Sequence, residues 1–216
     1  YLFCGCVGQR FEHRSLANGA NQKVAMHLPE AFKQSDTETL RSLIAAYPLA
    51  TLVVPGAEGL LINHVPLLWN GNELHGHIAR ANPLANELSG ESNGVEATAV
   101  FHGPNGYISP SDYPSTALHG KVVPTWNYAV VHISGTLEQR DDAEFIRQQI
   151  DQLTAAQETP LNPQSPWTLD DAPRTFAGAL QRSIVGIALS ATTITGKYKL
   201  SQNRPAADRE GAQQGV

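Results

Sequence analysis

Hydrophobic and polar residues alternate with two different periods along the chain, and each period predicts a different kind of element. Alternation at every second position is typical of a half-buried strand. Three short strands are predicted within residues 49–78, joined by turns at PGAEG and NGN, of which the second is a good hairpin signal. Further strands are predicted at residues 96–103, 125–140 and 185–201.

Helical periodicity occupies shorter segments at the margins of the strands. Residues 35–48 predict a helix in which Ser35 is the cap, Glu38 completes a capping box and Pro48 ends the helix. A second well-patterned helix is expected to be capped by Asp141 or Asp142. The remaining segments are predicted as helices at 83–90, 141–158 and 174–184, loops at 104–124 and 162–173, and a polar tail from 203 onward.

The order of these elements favours an antiparallel core. The strands are closely spaced and follow one another without the helices that must connect parallel strands. No internal repeat is visible in the sequence. We therefore expect a mainly β fold with peripheral helices, arranged as a barrel or a sandwich.

Composition narrows the class of protein. The chain has 216 residues, of which 41% are hydrophobic and 16% charged, so it can bury a sizeable core, and its low charge suggests that a second copy covers part of its surface. No apolar run reaches the length of a membrane span. The formal net charge of −5 and the absence of a basic run weigh against direct DNA binding, which needs a basic footprint.

The first 25 residues differ from the rest. They show no clear period and contain both cysteines, Cys4 and Cys6, which lie too close together for an ordinary structural disulfide. Met26 is the only methionine. We expect residues 1–25 to be a non-native leader and residues 26–216 to form one domain; the alternative, a signal peptide, needs a longer apolar stretch and a cleavage site. The cysteine-free remainder is compatible with the cytoplasm, where we expect the protein.

The segment GHIARANPLANEL, residues 76–88, begins with the pattern of a strand and ends with that of a helix. Asn82 is a good helix cap and Pro83 a good first residue, so helix initiation explains both. Initiation does not explain Arg80, because a cation at a helix N-terminus opposes the macrodipole. An anion bound there would remove the penalty, and a phosphate is the commonest such anion.

Seven segments resemble the PaiB-type FMN-binding negative transcriptional regulators and occur in that family's order over nearly all of residues 26–211. They are MHLPEAF, INHVPLLW, LHGHIARANPLANEL, VFHGPNGYISPSDY, VPTWNY, SIVGIAL and GKYKLSQNRPAADREG. The resemblance implies an antiparallel split β-barrel, as in pyridoxamine-phosphate-oxidase-like proteins. It also implies a homodimer that binds FMN, without a covalent bond, at the subunit interface. The loop at residues 114–122 has no match, and its role stays open.

The resemblance also implies which residues bind the cofactor. The FMN phosphate of split barrels lies where a hairpin runs into a short helix, which is the position of Arg80 and Asn82. The backbone of residues 64–66 would meet the polar rim of the isoalloxazine ring, and the C-terminal segment would cover the partner's cofactor. The expected cofactor-binding residues are His64, Val65, Pro66, His77, Ile78, Ala79, Arg80, Asn82, Trp126, Asn127, Lys199, Gln202, Asn203 and Arg204.

Simpler explanations remain open for several of these positions. His75 and His77 share one strand face, and His64 and His102 could join them around a metal, but no carboxylate or thiol stands at ligand spacing and we expect no metal site. Trp126 is as consistent with core packing as with a pocket wall. The donor-rich segment 197–204 is either a solvated tail or a cover for the cofactor.

The sequence leaves three functions in competition. The first is the one the family name implies, negative regulation of transcription, which the acidic charge suggests is indirect. The second is FMN-dependent oxidation or reduction of an unknown small substrate, and the third, a remote one, is haem binding or degradation. No nucleophile and base stand at a spacing that recommends a triad, so any chemistry would belong to the flavin.

Overall fold

A computed structural model describes residues 26–91 and 93–214 of the chain. Within them, eight antiparallel strands form one sheet in the order β3-β2-β6-β7-β8-β5-β4, and β1 pairs with β8 at the side. The strands are β1 (Lys33–Gln34), β2 (Leu49–Gly56), β3 (Gly59–Pro66), β4 (Leu68–Asn70), β5 (Glu73–Ala79), β6 (Val95–Ile108), β7 (Thr125–Arg140) and β8 (Ile184–Lys199).

Six helices lie at the margins of the sheet. They are α1 (Thr37–Ala46), α2 (Pro83–Ser89), α3 (Ser115–His119), α4 (Ala143–Leu161), α5 (Arg174–Arg182) and α6 (Ala206–Gln214), with short 3-10 helices at Glu30–Phe32, Pro110–Asp112 and Leu169–Asp171. This arrangement confirms the predicted antiparallel split barrel with peripheral helices. Among the described helices, none combines the length and the apolar character that crossing a membrane requires.

The core lies on the inner face of the curled sheet. Each long strand places every second side chain there, as the two-residue period predicts. The strands contribute the fully buried Leu52, Phe101, Ile133 and Ile187, and α1 closes the interior with Ile44. Burying side chains of this size stabilises the fold by about 1.5–3 kcal/mol each.

The barrel is split where β3 and β5 approach each other. After Leu67 the chain continues from β3 into β4, which pairs with β5 from Leu68 opposite His75 to Asn70 opposite Glu73. Among the described residues, no ladder continues this pairing from β4 back along β3. The strands nevertheless stay close, because a Cβ added at Gly76 would lie 2.8 Å from the Pro66 carbonyl oxygen. The result is a gap bordered by two strand edges.

The strand predictions are confirmed, with two differences. Residues 49–79 form four strands rather than three, because Leu67 interrupts the run that the sequence presents as continuous. Strand β6 extends to Ile108, through residues that the sequence analysis assigned to a loop. A register shift between His102 and Asn105 carries the strand past Gly103 and Pro104, where a regular ladder would have ended.

The four predicted helices are confirmed, as are the caps at Asn82 and Asp142; the differences are the cap of α1, the short helix α3 within the predicted loop 104–124, and the C-terminus. Asp36, not Ser35, caps α1, and its carboxylate accepts the Thr39 N–H at 2.8 Å. Asp142 caps α4 in the same way, through the Phe145 N–H. Residues 206–214 form α6 instead of an irregular polar tail. The prediction of a leader at residues 1–25 lies outside the described residues.

Helix α6 is held by a contact between residues far apart in sequence. The buried Asp208 carboxylate accepts the backbone N–H of Ser115 at 3.0 Å and its hydroxyl at 2.7 Å, and so serves as a remote cap for α3. These bonds, the backbone one foremost, lower the pKa of Asp208. Gly211 then lies against Pro110–Asp112, where an added Cβ would stand 2.0 Å from the Asp112 carbonyl oxygen. The tail is therefore an integral part of the fold.

Two helical glycines provide a matched test of this packing. Gly178→Ala in α5 should stabilise the protein by about 0.5–1 kcal/mol, because alanine favours the helix and the new Cβ meets only the end of the Arg182 side chain, at 3.5 Å. Gly211→Ala should instead destabilise it, since the clash with Asp112 outweighs the same helical gain. Thermal unfolding measures both effects, and hydrogen exchange at the Ser115 amide reports the release of α6. Equal stabilisation by both substitutions would show that α6 does not pack as described.

Candidate functional site

The gap between β3 and β5 brings together two of the segments that the sequence analysis selected. Extending the β4–β5 register back along the chain places residues 64–66 beside residues 77–79. Strand β3 pairs with β2 on its other side, through His64 opposite Thr51 and Val65 opposite Ala50. Strand β5 pairs with β8, through His77 opposite Gly186 and Ala79 opposite Ile184. Each strand therefore turns an edge of backbone donors and acceptors toward the gap.

Asn82 joins the two sides of the gap at one end. Its side-chain oxygen accepts the Leu84 N–H at 2.9 Å, so it caps α2 as predicted. Its amide nitrogen donates to the side-chain oxygen of Asn63 on β3 at 2.7 Å. One side chain thus fixes the start of α2 and its position relative to β3.

Arg80 points away from the gap. Its guanidinium donates to both oxygens of Asp141, at 2.8 and 2.5 Å, and to the backbone carbonyl oxygens of Arg182 and Ile184 at 3.1 and 3.0 Å. The hydrogen-bonded ion pair raises the pKa of Arg80 and lowers that of Asp141. The anion that the sequence analysis expected beside Arg80 is therefore present in the chain itself, as the Asp141 carboxylate. Through these bonds, Arg80 links the end of β5 to β8 and to the start of α4.

The side chain of His77 also lies away from the gap, under α4. Its Nδ1 is 2.6 Å from the side-chain oxygen of Gln149, a residue only 2% exposed. Two residues earlier, the His75 ring packs on Phe145 with centroids 4.8 Å apart. The outer face of β5 is thus covered by α4, and only the backbone of His77 borders the gap.

A second group of predicted residues gathers at the far end of β7 and β8. The Lys199 ammonium donates to the Trp126 carbonyl oxygen at 2.6 Å and to the Thr125 hydroxyl. Trp126 packs edge-on against Tyr107, with ring centroids 6.0 Å apart. Partial burial, ahead of the charges around it, lowers the pKa of Lys199. The group thus combines exposed aromatic side chains with a lysine ammonium that hydrogen bonds hold in place.

The turn after β8 belongs to this second group. Ser201 has a φ of 62° and donates from its hydroxyl to the Asn127 side-chain oxygen at 3.0 Å. The side-chain oxygen of Gln202 accepts the Leu200 N–H at 2.7 Å, and the Arg204 guanidinium lies 5.1 Å from the centre of the Tyr113 ring. Asn203 is exposed. Most of the predicted C-terminal residues are thus held by their own chain.

The two groups stand at opposite ends of β8. Gly186, opposite His77, and Lys199, opposite Tyr128, are separated by thirteen residues of that strand. At about 3.3 Å per residue, this is up to about 43 Å along the strand. The two groups are therefore set apart along β8 rather than lying side by side on it.

The histidines do not gather around a metal in the part of the chain that the structure describes, where no three His, Cys, Asp or Glu side chains could hold one ion. His64 instead pairs with the Thr51 hydroxyl at 3.2 Å, and His75 with Glu73 at 2.9 Å. Burial, and then the nearby charge of His102, lower the pKa of His132 on the outer sheet face.

Sequence analysis missed three residues that shape the gap and its surroundings. Asn63 was not selected from the sequence, although its side chain receives the bond from Asn82. Asp141 was considered only as a cap for α4, and Gln149 was not selected at all. An arginine without a nearby acid in sequence was the one available signal for Asp141, since such a group needs a partner from elsewhere.

Comparison with known proteins fits this fold and site. Residues 26–193 match the family model described as "Putative FMN-binding domain". The Bacillus subtilis protein named protease synthase and sporulation protein PAI 2 is 29% identical over 192 residues, covering 85% of each chain. An uncharacterized protein of Aspergillus fumigatus is 32% identical, covering 88% of this chain and 90% of its own.

Solved structures share the fold at lower sequence identity. An FAD and heme binding protein from Mycobacterium smegmatis aligns with a TM-score of 0.58 and 16% identity, over 85% of this chain and 80% of its own. The flavocytochrome Anf3 from Azotobacter vinelandii aligns with a TM-score of 0.56 and 12% identity, over 77% and 69%. The resemblance seen in the sequence is thereby confirmed: the chain belongs to the FMN-binding family that this model describes, it has the split-barrel fold, and its cofactor is FMN.

Proposed function

We propose that two copies of the chain form a homodimer with two shared FMN sites and that the protein acts through the redox state of the flavin. The division of the predicted cofactor residues between the two ends of β8 carries this proposal. Residues at the gap of one copy and at the far end of β7 and β8 of the other would complete each site.

The chemistry of the gap fits the cofactor. The polar rim of an isoalloxazine ring alternates hydrogen-bond donors and acceptors, and the facing edges of residues 64–66 and 77–79 offer the complementary groups. Bound FMN supplies hydride or single-electron transfer. The chain's own task is to bind and orient it, with the backbone of His64, Val65 and Pro66 on one side and of Ile78 and Ala79 on the other.

Arg80 and Asn82 are the proposed phosphate ligands. The sequence did not reveal that Arg80 already makes hydrogen bonds with which a phosphate must compete. Four of the five donors of Arg80 are already used, two of them by Asp141. A phosphate that binds Arg80 therefore competes with the Asp141 carboxylate. Since both side chains are 47% exposed, solvent screens their attraction and such an exchange is feasible.

Exposed apolar side chains support the dimer. Leu60 and Ile62 on β3 are 64% and 59% exposed, and Tyr107 and Trp126 in the second group are 51% and 54% exposed. Exposed apolar side chains that lie next to one another, as in each of these pairs, are typical of surfaces that another chain covers. In a two-fold dimer the same surfaces of both copies meet, so each copy can contribute its second group to its partner.

Trp126, Asn127, Lys199, Gln202, Asn203 and Arg204 form the proposed contribution from the partner. Trp126 and Tyr107 provide aromatic surface, while Lys199 and Arg204 provide positive charge on a chain that is acidic overall. Their bonds within the chain hold them in place before the cofactor arrives. Such preorganisation lowers the entropy lost on binding.

Oxidation or reduction of a small molecule is the activity that this site supports best. A regulatory effect, of the kind that the resemblance seen in the sequence implies, would then be indirect. The chain is acidic overall, with a formal net charge of −5, and three of its surface arginines lie in ion pairs: Arg80 with Asp141, Arg140 with Glu73 and Glu138, and Arg147 with Asp151 and Asp170. A surface of this kind offers little attraction to a nucleic-acid backbone.

Substitutions at Arg80 and Asp141 test the phosphate site. Arg80→Ala should weaken FMN binding by about 10- to 100-fold, the scale of a charge-assisted hydrogen bond, and leave riboflavin binding, which involves no phosphate, almost unchanged. Asp141→Asn should strengthen FMN binding, because it removes the competing charge. Fluorescence titration with the two flavins measures both effects. Equal losses for FMN and riboflavin would mean that Arg80 acts only by holding the fold.

Mixed dimers test whether sites are shared. One chain carries Arg80→Ala and the other Lys199→Ala with Arg204→Ala; each homodimer should bind FMN weakly, and the mixed dimer should regain one intact site. As the control, all three substitutions are placed in one chain and paired with the unaltered chain, which should leave no intact site. Stoichiometry by titration decides between the arrangements. No intact site in the mixed dimer, together with one intact site in the control pairing, would place each site within a single chain.

Direct action on DNA has its own test. The purified, FMN-loaded protein should bind DNA weakly at most, without sequence preference and with strong dependence on salt. Footprinting at physiological salt over promoters that respond to loss of the protein provides the measurement. A discrete footprint at one of them would replace the indirect model with direct repression, whereas oxidation of reduced nicotinamide cofactors by the loaded protein would support the redox proposal.

A further inference from the structure

Two adjoining cavities flank α1, and no proposed FMN residue lines either of them. One, of about 290 Å³, lies between α1 and the β1–β8 pair, and the other, of about 320 Å³, lies between α1, β4 and α4. Arg41, Ile44 and Trp69 line both of them. The volumes are close to the lower end of the range of small-molecule sites, about 300–1,000 Å³.

Arg41 lies at the centre of this region without a counter-ion among the described residues. Its guanidinium stands 5.1 Å from the centre of the Trp69 ring. Its one recorded hydrogen bond, from a terminal nitrogen to the Gly71 carbonyl oxygen, is long at 3.5 Å. Its Nε atom is buried and has no acceptor in the described part of the chain. A half-buried guanidinium in this state is unusual, because proteins almost always pair such a group.

The orientation of Arg41 is fixed by its neighbours. The Trp69 indole N–H donates to the same Gly71 carbonyl oxygen at 2.7 Å, which holds the ring in place. The ring face in turn holds the guanidinium plane by a cation–π contact. The donors of Arg41 that remain free are therefore preorganised, as a planar fork suited to a carboxylate.

The other walls of the first cavity define the rest of the ligand. Leu28, Leu40 and Ile44, together with Ile194 from β8, give it apolar sides. Ser35 and Thr37 add hydroxyl groups near the start of α1. The nearest capping acid, Asp36, directs its carboxylate to the Thr39 N–H and hydroxyl rather than to Arg41.

We propose that this cavity binds a small monocarboxylate with a short apolar body. The carboxylate accepts from the Arg41 guanidinium over Trp69, and the apolar body lies against Leu40, Ile44 and Ile194. Of the two cations in the lining, Arg41 is held over Trp69, whereas Lys33 is exposed and lies 3.8 Å from the Glu30 carboxylate. One fixed cation suits one negative charge, whereas a phosphate dianion would leave charge unmatched beside the apolar walls. This site is separate from the proposed FMN site, and neither proposal depends on the other.

Hexanoate is the probe, and hexanol, which has the same apolar body without the charge, is its control. In amide and side-chain NMR spectra of the FMN-loaded full chain, hexanoate should shift the Trp69 indole, the Arg41 Nε–H and the Thr37 amide, and bind at least about tenfold more tightly than hexanol. Equal affinities for the two probes, or shifts spread over the surface with none at Arg41, would overturn the proposal.

Variants of Arg41 provide a second, independent test of the proposed carboxylate site. Arg41→Met keeps the apolar stem and should weaken hexanoate binding about tenfold while leaving hexanol binding unchanged. Arg41→Lys keeps the charge but loses the planar fork of donors, so an intermediate loss of hexanoate affinity is expected. This variant replaces Arg41→Met in the test if the methionine variant fails to fold. Arg174→Met, at an exposed arginine of α5, is the matched control and should bind hexanoate as the unaltered chain does. Hexanoate binding that is indifferent to both Arg41 variants would refute the assignment.

Discussion

The unpaired approach of β3 and β5 is the constraint on which the rest of this structure depends. A barrel that closed its last ladder would have no free strand edge and no place for a ligand among its backbone groups. Here Leu67 turns the chain into β4 just before that ladder would form, while the contact between Gly76 and Pro66 keeps the edges close. A buried backbone group left unpaired costs about 1–3 kcal/mol, so such an opening persists only where water or a ligand satisfies it.

Helix α4 supports the same region from outside. It meets β5 at two successive outward positions, through Phe145 on His75 and Gln149 on His77, and Asp141, just before the helix cap, binds Arg80, just after the strand. These contacts orient β5 without using its open edge. The rigidity of the gap therefore comes from side chains on the covered face of the strand, whereas its chemistry comes from the backbone of the opposite edge.

Local patterns were enough to anticipate the strands, most helices and the cap at Asn82, because each depends on residues within a few positions of one another. Strand β7 was anticipated over its span from Thr125 to Arg140, and α2 from its Asn-Pro start. The sequence could not show that Arg80 meets Asp141 or that Asp208 meets Ser115, because such pairs form only when distant elements pack together. The role of α6 was missed for this reason: a polar helix looks like a solvated tail until its one buried carboxylate finds its partner.

Strand β8 pairs with β1, β5 and β7, and these partners come from the beginning, middle and later parts of the chain. During synthesis, none of the three ladders can form until the ribosome has produced most of the protein. Until β8 is synthesised, the hairpin of β2 and β3 and the long pair of β6 and β7 keep an unpaired strand edge exposed. Strand pairing over such long sequence separations is slow and open to aggregation. The topology that places β8 between β5 and β7 thus also leaves these strand edges exposed until the last strand emerges.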